Sequence, residues 1–211
     1  MKALLSKQVG GPETLVLEEV ADPVAGPGQI LVSVKACSVN YPDVLMIEDK
    51  YQVKPPRPFS PGSEVSGIVE AVGEGVTQFK VGDRVLGAAN GGMAEKVVLN
   101  ATTAYPLPDE RSFAEGAALI LTYGTSIHAL VDRGHIKAGD TLLVLGAAGG
   151  VGIAAVELGV ACGARVVAAV SSEEKAAAAR AAGASEVVIY GRAPFDKDQS
   201  KALSEAFKAA V

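Results

Sequence analysis

From Asp140 to Gly152 the chain reads Asp-Thr-Leu-Leu-Val-Leu-Gly-Ala-Ala-Gly-Gly-Val-Gly, an apolar run that breaks into a glycine-rich turn and leads into an alanine-rich stretch ending near Ala161. A short run without polar residues, Thr141 to Leu145, fits a strand buried on both faces, and Gly149 to Ala161 fits a helix. Working outward, the alternation repeats: Arg165 to Val170 reads as a strand, Glu173 to Ala182 as a helix, Glu186 to Tyr190 as a third strand and Ser200 to Val211 as a further helix. Strands of this kind alternating with helices predict a parallel sheet with right-handed crossovers.

The turn has a chemistry as well as a shape. Its residues are Gly146, Ala147, Ala148, Gly149, Gly150, Val151 and Gly152, lying between a strand and a helix, which is the context that gives a glycine pattern meaning. Gly149 would let the backbone approach a pyrophosphate, and Gly152 would let the helix pack closely on its strand. The unpaired N–H groups and the positive dipole end of the helix would hold the phosphates. Ala147 stands where the common fingerprint has its first glycine. The plainer alternative is a tight turn with no ligand. Where an NAD-binding sheet places Asp or Glu against the ribose 2′-hydroxyl, this chain has Val170-Ser171-Ser172, with Lys175 close behind. A hydroxyl and a lysine suit a 2′-phosphate, so NADPH is expected over NADH. Glu173 and Glu174 read as first-turn helix acids.

Upstream the grammar differs. Residues 1 to about 110 are short apolar runs punctuated by Gly and Pro, the pattern of a β-rich domain. Leu15 to Glu18, Ile30 to Val34 and Val65 to Val72 read as strands, and Phe79 to Gly87 as two strand ends joined at Gly82-Asp83. From Ser112, apolar spacing at Ala117, Leu121, Ile127 and Leu130 predicts helix. The 211 residues carry a net charge of −5 with no basic run, so neither nucleic acid nor an anionic membrane is an expected partner. Cys37 and Cys162 form neither a metal pattern nor a disulfide framework, which suits a reducing cytoplasm. His128 and His135 lie in helical context with no carboxylate partner suggested by spacing, and no metal site is expected.

Taken together, Gly26 to Val32, Pro61-Gly-Ser-Glu-Val-Ser-Gly67, Val81-Gly-Asp-Arg-Val85, Gly92 to Val97, the turn and Gly183 to Tyr190 resemble the medium-chain dehydrogenase/reductase family over nearly the whole chain. The resemblance implies an α/β fold: a GroES-like β-rich substrate domain over residues 1–120, followed over 121–211 by the first half of a Rossmann doubly wound parallel sheet. Zinc-dependent members have a cysteine where Asn40 stands and a histidine where Ser63 stands, and nothing around residues 87 to 100 matches their four-cysteine lobe, so zinc is not implied. The subgroup resembled is that of quinone oxidoreductase and zeta-crystallin. It matches Asn40-Tyr41-Pro42-Asp43, a substrate-side tyrosine at Tyr51, a threonine beside the nicotinamide at Thr125, and a lysine and a tyrosine near the adenosine phosphate at Lys175 and Tyr190.

The implied reaction moves hydride from NADPH to a quinone or an enone, with Asn40, Tyr41 and Tyr51 as candidates for polarising the substrate and supplying a proton. For Asn40 and Asp43 the alternative is capping through side-chain to backbone bonds; for Tyr51 it is packing. Members of the family continue beyond the point reached at Val211, so a piece of a longer enzyme is expected, or a partner covering the strand 141–145 as an open edge. Homodimers are common among such proteins. The competing class is a non-catalytic nucleotide-binding or assembly module.

Overall fold

The computed structural model describes residues 1–191 and 194–211. The chain divides into two compact units, Met1–Leu121 and Thr122–Val211.

The first unit opens with β1 (Lys2–Leu5) and β2 (Val16–Glu19), an antiparallel pair. There follow β3 (Gln29–Cys37), a helix α1 (Tyr41–Ile47), β4 (Glu64–Val72), β5 (Arg84–Ala88), β6 (Lys96–Asn100), β7 (Ala104–Pro106) and a helix α2 (Phe113–Ala117). Five of these strands make an antiparallel sheet in the order β6-β3-β4-β5-β7. Its outer strands, β6 and β7, are joined by the single 3₁₀ turn Ala101–Thr103. A flat sheet of five strands is about 19 Å across, whereas three residues of 3₁₀ helix advance only about 6 Å, so the sheet must curl. Ile30, Val32, Val65, Val69, Val85, Val97 and Leu99 fill the inside of the curl. At Gly67 a Cβ would stand 2.1 Å from the Ser33 carbonyl oxygen, so β4 lies this close to β3 only because the side chain is absent. Outside, Lys96 Nζ reaches Asp22 (2.8 Å) and Glu70 (3.0 Å), and Asp22 also takes the N-terminal ammonium at 2.9 Å.

Phe79 to Gly87 holds one strand where the sequence suggested two strand ends. Lys80 to Asp83 is a turn with Gly82 at φ 92°, closed by Asp83 on the Lys80 N–H, and Val81 is solvent-exposed. The helical stretch past Ser112 exists but is largely not α-helical. After α2, capped by the reciprocal Ser112 and Glu115 bonds, come π-helical Ile120–Gly124, the single turn α3 (Thr125–Ile127) and π-helical His128–Arg133.

In the second unit, β8 (Thr141–Leu145), α4 (Gly150–Ala161), β9 (Arg165–Val170), α5 (Glu173–Ala181), β10 (Glu186–Ile189) and α6 (Lys197–Ala210) build a parallel sheet in the order β10-β9-β8. The period-two alternation of a strand sorts β9 cleanly. Val166, Ala168 and Val170 face Val156 of α4 and Ala176 and Ala179 of α5, while Val167 joins Val188, Leu203, Phe207 and Ala210 beneath α6. Helices on both faces therefore cover a strand that is apolar and buried from Val166 to Val170, as the apolar runs predicted. Arg165 donates to the Ala210 carbonyl (2.7 Å), satisfying an orphan acceptor at the end of α6. β8 is the sheet's edge, with Leu145 67% exposed. Among the described residues no helix is long and apolar enough to cross a membrane.

Candidate functional site

The first unit gathers its polar residues where β3 ends, α1 begins and β4 begins. Asn40 is the N-cap of α1 in extended conformation, and Asp43, three residues on, accepts its backbone N–H at 2.8 Å. The capping alternative for this pair is thus realised in part. Asp43 does more than cap: its other oxygen accepts from the Gly62 N–H (3.1 Å) and the Ser63 hydroxyl (2.9 Å), and the residue is 3% exposed. Beside it Glu64, 1% exposed, accepts from the Ser38 hydroxyl (2.7 Å), the Asn40 amide (3.2 Å) and the Leu121 N–H (2.9 Å). The Asn40 amide nitrogen also donates to Ser38 Oγ at 2.7 Å.

This corrects one expectation. Asn40 was read as a donor to substrate, yet its amide nitrogen is turned onto Ser38 and Glu64. Glu64 itself was not singled out from the sequence, because Ser-Glu-Val-Ser reads as the ordinary polar and apolar alternation of a strand. The one available signal was a glutamate opening a strand otherwise read as core. The two buried carboxylates also act on Cys37, whose thiol is pushed up to about 11 by burial first and by the charges of Asp43 and Glu64 next, so it stays protonated near neutrality.

Tyr41, the first residue of α1, is 74% exposed, and Tyr51 is half-buried past the end of the same helix. Tyr51 is positioned by its N–H on the Leu45 carbonyl (3.2 Å). The segment that carries it is held at both ends. Arg57 donates to the Ile47 carbonyl (2.9 Å) and pairs with Asp49 (2.9 Å), while its guanidinium lies 5.4 Å from the centroid of the Phe59 ring. A cavity of about 400 Å³ opens nearby, lined by Gly62, Ser63, Met46, Pro55, Phe59 and Asn90 among others; Asn40, Tyr41 and Tyr51 do not line it.

In the second unit the glycine-rich turn separates into two kinds of position. Gly152 is closed: a Cβ there would meet the Gly146 oxygen at 2.3 Å and Ala147 Cα at 2.8 Å. It allows the helix to pack on its strand, the role its place in the sequence suggested. Gly149 is open, since a Cβ would meet nothing nearer than the Gly146 oxygen at 3.5 Å. Gly146, at φ 63°, needs its freedom to turn the chain. Ala147 is fully buried in the core beneath α4, which explains why a methyl is accepted where the fingerprint has glycine. The Gly149 N–H is spent on the Gly146 carbonyl (3.0 Å). The first-turn N–H groups of Gly150, Val151 and Gly152 have no carbonyl of their own helix to reach, and of these residues Gly150 and Val151 are exposed while Gly152 is buried. A diphosphate fits this arrangement of free donors over a backbone without a side chain.

At the tip of β9, Lys175 Nζ donates to Ser171 Oγ at 3.0 Å, and Ser172 caps α5 by accepting the Lys175 N–H at 3.3 Å. Glu173 is directed toward Arg180 at 4.0 Å. Tyr190 continues from β10 and is tied by its N–H to the Val170 carbonyl (2.9 Å). Thr125 is exposed at the start of α3. His128, read as lacking a carboxylate partner, has one: Asp132, four residues on, lies 2.8 Å from its Nδ1 on the helix surface. Among the described residues no group of three or more His, Cys, Asp or Glu is placed to hold a metal.

Comparison with known proteins agrees with this geometry. Residues 26–109 match the alcohol dehydrogenase GroES-like domain. The quinone oxidoreductase of Rattus norvegicus is 39% identical over 206 residues, covering 96% of this chain and 63% of the relative. A mycobacterial protein solved in complex with NADPH superposes with a TM-score of 0.89 at 34% identity, over 100% of this chain and 64% of its own. Escherichia coli quinone oxidoreductase, also solved with NADPH, gives 0.84 at 34% identity over 89% and 58%. The chain thus spans less than two thirds of the length of each of these proteins. A GroES-like unit followed by a parallel α/β unit with this turn places the chain in the medium-chain dehydrogenase/reductase family, among its quinone oxidoreductases.

Proposed function

We propose that the protein is an oxidoreductase that transfers hydride from NADPH to a quinone or to the electron-poor carbon of an α,β-unsaturated carbonyl compound, without zinc and in a reducing cytoplasmic setting. The observation that carries this reading is the turn at Gly149 to Gly152, where first-turn N–H groups without a helical partner lie beside a glycine whose Cβ would meet nothing nearer than 3.5 Å. When bound, NADPH would supply the hydride. The first-turn amides of α4 would hold its diphosphate, Ser171 and Lys175 its 2′-phosphate, and Tyr190 and Thr125 would border its adenosine and nicotinamide ends. No metal polarises the substrate oxygen in this reading, so a hydrogen-bond donor must do so. Tyr51, for whose hydroxyl no partner is found among the described residues, is the first candidate, and the exposed Tyr41 the second.

The test is loss of NADPH absorbance on adding p-benzoquinone or a simple enone to the protein as encoded. Turnover is expected, and a folded protein that oxidises NADPH with no acceptor of either class sinks the reading. Replacing Tyr51 by Phe is expected to lower kcat about a hundredfold with an unchanged melting temperature, the lower end of what a positioned acid contributes. Undiminished turnover would remove Tyr51 from the mechanism.

A further inference from the structure

Glu64 presents an unusual electrostatic situation. Its carboxylate is buried at the first residue of β4, and among the described residues no Lys, Arg or His lies within ion-pair distance of it. A charge taken out of water without a counter-ion is tolerated only where hydrogen bonds to it are good. Here both oxygens are met: Ser38 and Asn40 donate to one, and the Leu121 N–H to the other.

The consequence falls on Asn40. A carboxylate oxygen only accepts, so the Asn40 atom facing it at 3.2 Å must be the amide nitrogen. Turning the amide over would set one oxygen against another. The Ser38 hydroxyl gives its hydrogen to Glu64 and accepts from Asn40, which closes a three-membered ring of polar groups. Asp43 fixes the Asn40 backbone N–H independently. The side-chain oxygen of Asn40, directed away from Glu64, faces the Asp43 N–H at the start of α1.

We propose that Glu64 is a positioning residue: it holds the Asn40 amide nitrogen inward, which sets the Asn40 side chain as the cap at the start of α1, and it anchors the segment 38–40 to the backbone at Leu121. This rests on the hydride-transfer reading above, within which the start of α1 carries Tyr41, one of the two phenols offered as donor.

The experiment compares Glu64→Gln with wild type in two backgrounds, Asn40 and Asn40→Ala, using p-benzoquinone and NADPH with the protein as encoded. A glutamine can accept on only one side, so it cannot serve both Asn40 and Leu121. With Asn40 present, kcat is expected to fall roughly tenfold, as for loss of a charge-assisted hydrogen bond, with KM for the quinone within about twofold. In the Asn40→Ala background the same change is expected to have no further effect on kcat, because coupled residues are non-additive. Wild-type kcat in a folded Glu64→Gln protein, or equal losses in both backgrounds, would overturn the proposal. A second measurement needs neither turnover nor a variant: by NMR, the Asn40 side-chain amide hydrogens of the wild-type protein are expected to exchange slowly with water, and exchange as fast as an exposed amide would also overturn it. Absence of quinone turnover in the wild-type protein counts against the hydride-transfer reading alone, since the exchange measurement is made without substrate.

Discussion

The polar groups of the first unit and those of the glycine-rich turn in the second are arranged in opposite ways. Asp43 and Glu64 are buried acceptors met on every side by donors of their own unit. Gly150 and Val151 present donors at the exposed start of α4 that their helix cannot use. The difference separates two jobs. Satisfied acceptors spend their hydrogen bonds on shape, so their loss should be felt as instability; unsatisfied donors spend nothing on the fold, so changes around them should be felt as lost affinity.

The contrast can be broken within the turn itself. Gly152→Ala would drive a methyl into the Gly146 carbonyl, and overpacking of about 3 kcal/mol should outweigh the roughly 1 kcal/mol that alanine gains over glycine within a helix. Gly149→Ala, at φ −80° with its nearest neighbour 3.5 Å away, should stay within about 0.5 kcal/mol of wild type in denaturant melts. Its NADPH dissociation constant should nevertheless rise roughly tenfold, the equivalent of one spoiled hydrogen bond. Equal stability of the two variants would erase the distinction between closed and open glycines. Next in size, Asp43→Asn should cost about 2 kcal/mol, because an amide presents N–H to donors that had an acceptor; an unchanged unfolding midpoint would contradict it.

Smaller effects sharpen the same comparison. Lys175→Gln should weaken NADPH roughly tenfold and leave NADH unchanged, the loss of one charged contact to phosphate, as read by fluorescence titration. An equal loss for both coenzymes would remove Lys175 from the 2′-phosphate site. The smallest effect is at the first unit's surface. Hydrogen bonds from Lys96 and then the N-terminal ammonium lower the Asp22 carboxyl from 3.8 to about 2. A depressed acid stabilises the fold above its unfolded value and loses that contribution as pH falls through the folded one. Melting temperatures should therefore fall more steeply between about pH 4 and 2 in wild type than in Asp22→Asn.

How much of this was legible depended on how locally each feature is determined. β8 and β9 have the limits read from the sequence because, past Thr141 and Arg165, their residues are uniformly apolar, and the runs are bounded by Gly, Asp and Ser. The turn was legible for the same reason, since a strand, a glycine pattern and a helix are adjacent in the chain. α1 was not foreseen as a helix, being only seven residues with a proline in its first turn. The π-helical runs were invisible because apolar spacing does not separate a π turn from an α turn. Glu64 was missed because its hydrogen-bond partners come from two distant segments, Ser38 with Asn40 and Leu121, and alternation along β4 carries no record of them.

The clasp formed by Arg57 has a practical consequence for the loop it closes. A planar, permanently charged fork grips the carboxyl end of α1 and Asp49 while resting on Phe59, a combination that lysine cannot reproduce. With both posts fixed, residues 52 to 56 strung between them can be rewritten like a cartridge without disturbing the curled sheet behind. Diversifying positions 52 to 56 while leaving Arg57 and Asp49 alone is therefore the way to vary the loop beside the proposed donor Tyr51, since variation concentrates where a rigid frame holds an exposed loop.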